Sequence, residues 1–456
     1  MKLVKQFTVL ALGLVSFASC IKVEVGDEII NPTNPTDSTS TVLNGTIDQS
    51  RTLTRGVYTL KGYVYVNNGA TLTIEPGTII KSDVADKGAL IIERGSKLIA
   101  DGRADAPIVF TSGKPSGERQ PGDWGGIVLL GKAPTNRPLS PAPIIEGGIG
   151  RPYGGTDPND NSGILRYVRV EFSGIAAEPG SEINGVTFGG VGAGTIVENV
   201  QVSFGADDAY EFFGGTVNCK NLVALGTMDD DYDFDFGYTG KIQYAVALRD
   251  KPADTDQANG IECDNDGSGT TSEPFTRPQL SNLTLIGPYD TTGSNANHGY
   301  SNRWRRSTRF VLRNSLLIGH RKAGFSMESK ETAQAYKDGL SEFRDNIIAV
   351  YKLPYYTADD KSPADPASTV FTSAQLQAFA AAQGNTVLAS RDDVQLTDPF
   401  NLTSPNFLPK PGSPALSGAD FTGMDVFFSS TTYRGAFGAT NWMEGWTSFN
   451  PKTNSY

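Results

Sequence analysis

Apolar residues in this chain come in short runs that end at Gly or Asn: "NGATLTIEPGTII", "RGSKLIADGRADAPIVF", "VENVQVSFG", "CKNLVALGT", "LSNLTLIGP", "LRNSLLIGH" and "FRDNIIAVY". Short β-rich runs bounded by turn residues predict strands, and their recurrence predicts a repeat. The clearest repeat lies in "SFGADDAYEFFGGTVNCKNLVALGTMDDDYDFDFG" from Ser203, where a shift of 22 residues carries Asn199 onto Asn221, Asp207 onto Asp229, Asp208 onto Asp230, Tyr210 onto Tyr232, Glu211 onto Asp233 and Phe212 onto Phe234. After an inserted loop, "NGIECDNDG" supplies a third copy, with Ile261 under the tyrosines, Glu262 under the acids and Cys263 under the phenylalanines. Asn282, Asn314 and Asn346 continue the register at intervals of 32, one turn plus an insertion. A period just above 20 built from short strands predicts stacked coils, none of which has a core alone. The exception is "FTSAQLQAFAAAQGN", with Thr372 or Ser373 as N-cap, Leu376 and Phe379 on one face and Gly384 as stop, which predicts a single short helix on an inserted loop.

Over residues 45–440 this pattern resembles the right-handed parallel β-helix of the pectate-lyase-like superfamily. More narrowly, "GDWGGIVLLG", the "DDAYEFFGG…DDDYDFDFG…NGIECDND" block and "YRGAFGATNWMEGWTSFNP" look like a family of Bacteroidota surface lipoproteins without an established role. The fold class expected is therefore an all-β solenoid with loop insertions, closed after residue 440 by a C-terminal cap over 441–456 in which Trp442 and Trp446 cover the last coil.

Side chains along a strand alternate between faces. If Tyr210, Phe212, Tyr232, Phe234, Ile261 and Cys263 point inward, Glu211, Asp233 and Glu262 form one outward column, with Phe213, Asp235 and Asp264 in the next. At about 4.8 Å between rungs, neighbouring carboxylates repel by about 0.9 kcal/mol in water and more where shielded. Solvent, Lys or Arg, protons or a cation must offset this. Calcium is the sharp reading, with Glu211, Asp233, Asp235, Glu262, Asp264 and Asp266 as ligands; "DNDGSG" has the odd-numbered oxygen spacing of a calcium loop but not its distal Glu. The plain reading is a solvated acidic face that resists edge aggregation. Asp208 and Asp230 share the inward parity but sit at a bend, where carboxylates bond backbone N–H groups.

Catalysis has two recipes on such a scaffold. Paired carboxylates from Asp207, Asp208, Glu211, Asp229, Asp230 and Asp233 could cut a glycosidic bond as acid and base or nucleophile. The lyase recipe, implied by resemblance, needs a cation plus Arg or Lys, for which Arg321 and Lys322 beside His320 are the nearest candidates. Neither matches at motif level: "GADDA" is a fragment of the hydrolase signature, without its "GHG" and "RIK" companions. "GGVGAGT" leads into a strand rather than a helix and reads as a turn. The two histidines, His298 and His320, are too isolated for a zinc site or a triad. "HGYSNRWRRSTR" is a better binding candidate: Tyr300 and Trp304 could stack on sugars while Arg303, Arg305, Arg306 and Arg309 meet carboxylates or sulfates.

Composition supplies the address. A basic start, an apolar run from Phe7 to Ala18 and "FASC" read as an export signal over 1–19 whose Cys20 is lipidated, followed by a Pro-, Thr- and Ser-rich tether over 20–44. Acids soon after Cys20 resemble the surface-export signal of Bacteroidota lipoproteins. The net charge of −11 becomes −13 without Lys2 and Lys5, which excludes a nucleic-acid partner. Cys219 and Cys263 fall in different parts of the coil and are not expected to pair. The expectation is an outer-membrane, cell-surface lipoprotein that binds extracellular polysaccharide or supports a transporter–lipoprotein complex of the starch-utilisation type without turning substrate over; a lyase or hydrolase, and an adhesion or structural protein, stay open.

Overall fold

The computed structural model describes residues 40–456 apart from 179–180, 254–256, 289–291 and 358–365. The export signal, Cys20 and most of the tether lie outside the described residues. From Val42 onward the chain winds into a right-handed parallel β-helix whose coils contribute to three strand ladders. Ladder A runs from the second half of Val57–Val66 through Ala89–Ile92, Ile127–Leu130, Val186–Gly189, Tyr210–Phe213, Tyr232–Asp235, Ile261–Cys263, Tyr300–Trp304, Ala323–Met327 and Leu353–Tyr356. Ladders B and C are the first and second halves of Gly163–Glu171, Ile196–Ser203, Asn218–Leu225, Lys241–Leu248 and Gln279–Ile286, and split into separate strands at either end.

The 22-residue register is the observed pairing: Tyr210 faces Tyr232, Glu211 faces Asp233 and Phe212 faces Phe234, and the third coil adds Ile261, Glu262 and Cys263. Alternation turns the aromatics inward. Tyr210 and Tyr232 stack with centroids 5.5 Å apart, and Phe188, Phe212 and Phe234 form a run at 4.7 and 5.1 Å. Each tyrosine hydroxyl donates to backbone, Tyr210 to Val200 O at 2.8 Å and Tyr232 to Val246 O at 3.0 Å, so neither buried phenol is orphaned.

Asparagine marks the corner between ladders B and C. Asn199, Asn221, Asn282 and Asn314 hold φ of 54–59°, the left-handed region that Asn tolerates better than most residues. Tyr167 and Tyr244 take the same corner on their coils at φ 49° and 63°, and the corner after Asn314 departs from the expected spacing: Asp345 takes it at φ 57°, and Asn346 is buried one residue later, its Nδ2 donating to Leu312 O and Asn385 Oδ1. Cys219 pairs in register with Val197, and both Cys219 and Cys263 are free and buried.

Among the described residues two α-helices are present where one was expected. Residues Ser373–Ala381 form the anticipated one, capped by Thr372 in a reciprocal capping box with Gln375. The other, Lys330–Lys337, buries Ala333 and Tyr336, and its polar sequence hid it.

The expected cap is displaced. Trp442 and Trp446 do not cover the last coil; residues 413–456 form a strap along the outside of ladder C, and Trp446 meets Tyr167 with ring centroids 5.9 Å apart. Farther along, Tyr456 donates to Glu171 and Lys81 reaches Tyr456 O. Strap residues Ala436, Phe437, Met443 and Trp446 cover outward-facing Val223, Leu225, Val246, Leu248, Ile286 and Leu316, which explains why the second halves of these strands are apolar on both faces.

Phe212 packs against Phe188, Phe234 and Tyr238. Phe212→Ala is expected to lower unfolding free energy by about 3–5 kcal/mol in urea titration, with Phe212→Leu losing much less.

Candidate functional site

The acid column is outward from the coil interior, as alternation requires, but it is not an open solvated face. Glu211 and Glu262 are each 9% exposed, Asp264 4% and Asp266 6%. Two different devices cover it.

The first is a row of arginines. Ladder A pairs Glu262 with Arg303 and Cys263 with Trp304, so Arg303 stands on the rung above Glu262 and Arg305 follows above Asp264. Arg303 bonds Glu262 at 2.9 Å and also grips Glu328; Arg305 bonds Asp264 at 2.8 Å and also Glu262; Arg306 reaches Asp264 at 2.7 Å. Burial pushes Glu262 up, but Arg305 and Arg303 outweigh it and hold the carboxyl below its usual range. For Asp264 burial wins over Arg305, and its carboxyl sits above that range. These arginines are thus part of the compensation the column requires.

This corrects the expected sugar platform. Trp304 is fully buried against Phe310 at 4.2 Å, and Tyr300, 2% exposed, stacks on Tyr356 at 5.7 Å. Neither ring offers a face to a ligand. Arg309 lies 3.6 Å from the Phe275 ring centroid. Only Arg306 of the row is substantially open, with 41% of its side chain exposed.

The calcium-loop reading of "DNDGSG" is corrected too. Asp264 is committed to arginines, and Asp266 folds onto its own loop, accepting from Ser268 N at 2.8 Å and from Thr270 N and Oγ1. Asp235 accepts from Phe236 N at 2.6 Å. Among the described residues, none of these three belongs to a group of three or more acids close enough to share an ion. The groups that do are Asp207–Asp208–Asp229, Asp208–Glu211–Asp233 and Asp230–Asp233–Glu262, in each of which one oxygen per residue lies within 4.8 Å of the others. The six residues read for catalysis thus fall in one cluster with Glu211, Asp233 and Glu262 of the residues read for metal binding, while Asp235, Asp264 and Asp266 stay outside it.

Corner geometry assembles it. Asp208 accepts the backbone N–H of Asp230 at 2.8 Å, Asp230 accepts that of Asn259, and Asn259 accepts that of Tyr300 at 3.1 Å. The backbone-bonding role expected for Asp208 and Asp230 is therefore a ladder of staples between coils. Beneath it, fully buried Arg249 pairs with Asp231 at 3.0 Å and donates to Asn259 O at 2.6 Å, with its Nε 3.3 Å from His298 Nδ1. His320 bonds Ser301 at 2.9 Å, and both are buried, so the two histidines knit structure.

Glu146 was not legible as a site residue. It sits in the inserted segment after Ile145, and Asn184 donates both to it and to Glu211. Burial raises the Glu146 carboxyl and raises Glu211 well above the ordinary range, with Glu146 as the next cause. Burial likewise raises Asp207, Asp208, Asp230 and Asp233, reinforced by Asp229, Asp207, Glu262 and Glu262 respectively. Among the described residues no Lys or Arg ion pair reaches Asp207, Asp208, Glu211, Asp230 or Asp233 within 4.0 Å. Asp208, Asp229, Asp230, Asp233, Gln257, Glu262 and the three arginines line a cavity of about 200 Å³. Asp233 Oδ1 is buried there without a hydrogen-bond partner. An all-oxygen set with an orphaned carboxylate oxygen fits a hard divalent cation.

The profile of the pectate-lyase-like β-helix domain matches residues 45–393, well over half of the chain. The protein belongs to that family. Comparison with curated proteins and comparison with solved structures return no match. Membership of the pectate-lyase-like β-helix family accounts for the coil architecture. The activity has to be argued from the acid cluster itself.

Two outcomes follow from the cluster. Acids raised by burial keep protons that the unfolded chain releases above about pH 4. Their stabilising contribution is full below that value and is lost as pH rises through the raised folded-state values. Without divalent cation the melting temperature should therefore fall between pH 5 and pH 8, and calcium should restore it in a concentration-dependent way. Superimposable melting curves with calcium and with chelator at pH 8 would reduce the site to a proton-sharing cluster. Separately, Arg305→Met leaves Glu262 to Arg303 and Asp264 to Arg306 and should cost about 1–3 kcal/mol in denaturant unfolding, with Glu262→Gln in the same chain recovering part of the loss.

Proposed function

We propose that this β-helix is a cell-surface binding protein for anionic glycan, in which a calcium ion held by Asp208, Asp230 and Asp233, beside the arginine-paired Glu262, bridges to the glycan's carboxylate or sulfate groups. The observation that carries this reading is the meeting, around one cavity, of a carboxylate cluster with excess negative charge and a row of arginines ending in the exposed Arg306. A bare acidic pocket would repel an anionic sugar; a bound cation reverses the sign, and Arg306 adds a charge-assisted contact. About 200 Å³ is below the usual size of a pocket that engulfs a small molecule, and suits an ion plus one sugar ring of a longer chain. In this reading the lipobox at Cys20 and the tether hold the body at the outer surface, where the likeness to surface lipoproteins suggests a transporter–lipoprotein complex as partner.

Binding without turnover is preferred because the residues read for the lyase recipe are engaged, Arg321 donating to Asn295 O at 2.7 Å and Lys322 to Gln257 Oε1 at 2.7 Å. Arg303 and Arg305 are locked in ion pairs, and among the described residues no histidine or lysine lines the cavity. One observation favours the hydrolytic alternative: Glu211 and Asp233, with raised carboxyls, keep a proton-donating acid beside other carboxylates, which is what glycoside cleavage requires.

The test is retention on a panel of neutral, uronate-containing and sulfated polysaccharides, with calcium or chelator, while new reducing ends and unsaturated uronates are assayed. Calcium-dependent retention on anionic members without cleavage is expected. Asp233→Asn should abolish the calcium dependence, and Arg306→Gln should weaken retention about tenfold, near the worth of one charge-assisted bond. Cleavage products would establish the enzymatic alternative, and indifference to calcium would remove the bridging ion.

A further inference from the structure

The strap over residues 413–456 meets the coils in an unusual way. At three places a side-chain amide of the coils brackets one strap residue, donating to its carbonyl and accepting from its N–H. Gln201 does so with Ser448 at 2.7 and 2.8 Å, Gln243 with Ser429 at 2.8 and 2.8 Å, and Asn314 with Asp420 at 3.1 and 2.9 Å. A primary amide offers one donor and one acceptor side by side, as the exposed edge of a strand does, and so reads backbone whatever the side chain. Asn282 adds a single bond to Tyr433 O at 3.1 Å.

Selectivity comes from two anchors. The Trp446 ring is buried on the outside of ladder C against Tyr167. Tyr456 places its hydroxyl 2.6 and 2.8 Å from the two oxygens of buried Glu171, with the Arg119 guanidinium 4.8 Å from its ring centroid and Arg169 donating to the hydroxyl at 3.2 Å. The strap contributes no strand to the three ladders, whose last member is Thr386–Val387, and the family match ends at residue 393. The face it covers is therefore formed by the coils alone.

We infer that the outer face of ladders B and C is a docking surface for an extended polypeptide carrying aromatic anchors, and that its occupant is this chain's own residues 413–456, which bind as a tethered and removable ligand after the coils have formed. The consequence for the solenoid is coupling at a distance. Stacked coils couple only to their neighbours, but this strap touches Asn314, Gln243, Gln201, Glu171 and Lys81, tying late coils to early ones.

The experiment starts from the folded full chain, with a site for a sequence-specific protease inserted at the exposed Pro411–Gly412 and cut only after purification. The strap is expected to co-elute with the body after cutting, to leave it in urea concentrations at which the β-sheet circular dichroism is unchanged, and to rebind as a synthetic 413–456 peptide. Tyr456→Phe and Gln201→Ala in that peptide and body, respectively, should each weaken rebinding at least tenfold. The inference is overturned if the cut strap leaves only in the transition that unfolds the coils, since strap and coils are then one core. It is overturned equally if the released strap does not rebind to a body that keeps its sheet.

Discussion

Everything in this protein depends on in-register stacking of parallel strands at about 4.8 Å. The arrangement sets each residue over its counterpart in the next coil, so a sequence repeat becomes a column of like side chains. For Phe188, Phe212 and Phe234 inside the coil, likeness is favourable: flat rings of one size fill one slot after another. For Glu211, Asp233 and Glu262 outside it, likeness is costly, and the structure departs from simple repetition there. The next rung changes sign to Arg303, and the rung below offers Thr187 and the amide of Asn184. Repetition builds the core, and interruption of repetition makes the column tolerable.

The fold was legible because its strongest signal is this repetition. The shift that superimposes Asp207–Phe212 on Asp229–Phe234 is the pairing of ladder A, and Thr372 with Gln375 announced the helix over Ser373–Ala381 through their capping box. The site was legible only in part. Its acids were read correctly as an outward column, but Arg303 and Arg305 were read as ligand-binding because the long insertion between Cys263 and Tyr300 hides that "RWR" is the next copy of "ECD" and "DFD". Glu146 carried no signal, since an inserted segment keeps no register. The strap left one trace that periodicity could have caught: the continuous apolar character of "LVAL", "AVAL" and "LTLI", which no strand with one wet face requires.

The corners do chemical as well as structural work. Asp208 and Asp230 each spend one oxygen on a backbone N–H of the following coil, leaving the other to face the cluster. A carboxylate fixed this way loses little further freedom when it meets an ion, so the entropy of ordering it is met on folding. Burial of these oxygens in a cluster without its own cations is unfavourable for the folded chain at neutral pH. That burden is tolerable where binding a cation relieves it, and the same burden would give the ion its affinity.

The position of the cluster along the axis follows from what covers ladder A. Its outward column runs from Tyr65 through Ile91 and Val128, over which the inserted segment lays Ile145, Ile149 and Tyr153. At Thr187 this apolar cover gives out, and the next three rungs carry Glu211, Asp233 and Glu262. Outward residues of ladder C are apolar over the corresponding coils because the strap lies on them. The acids therefore stand where one cover has ended and the other does not reach, with Glu146 at the edge of the first and the arginine row closing the far side. A solenoid has no cleft of its own; here the limits of two coverings and a change of charge between rungs create one.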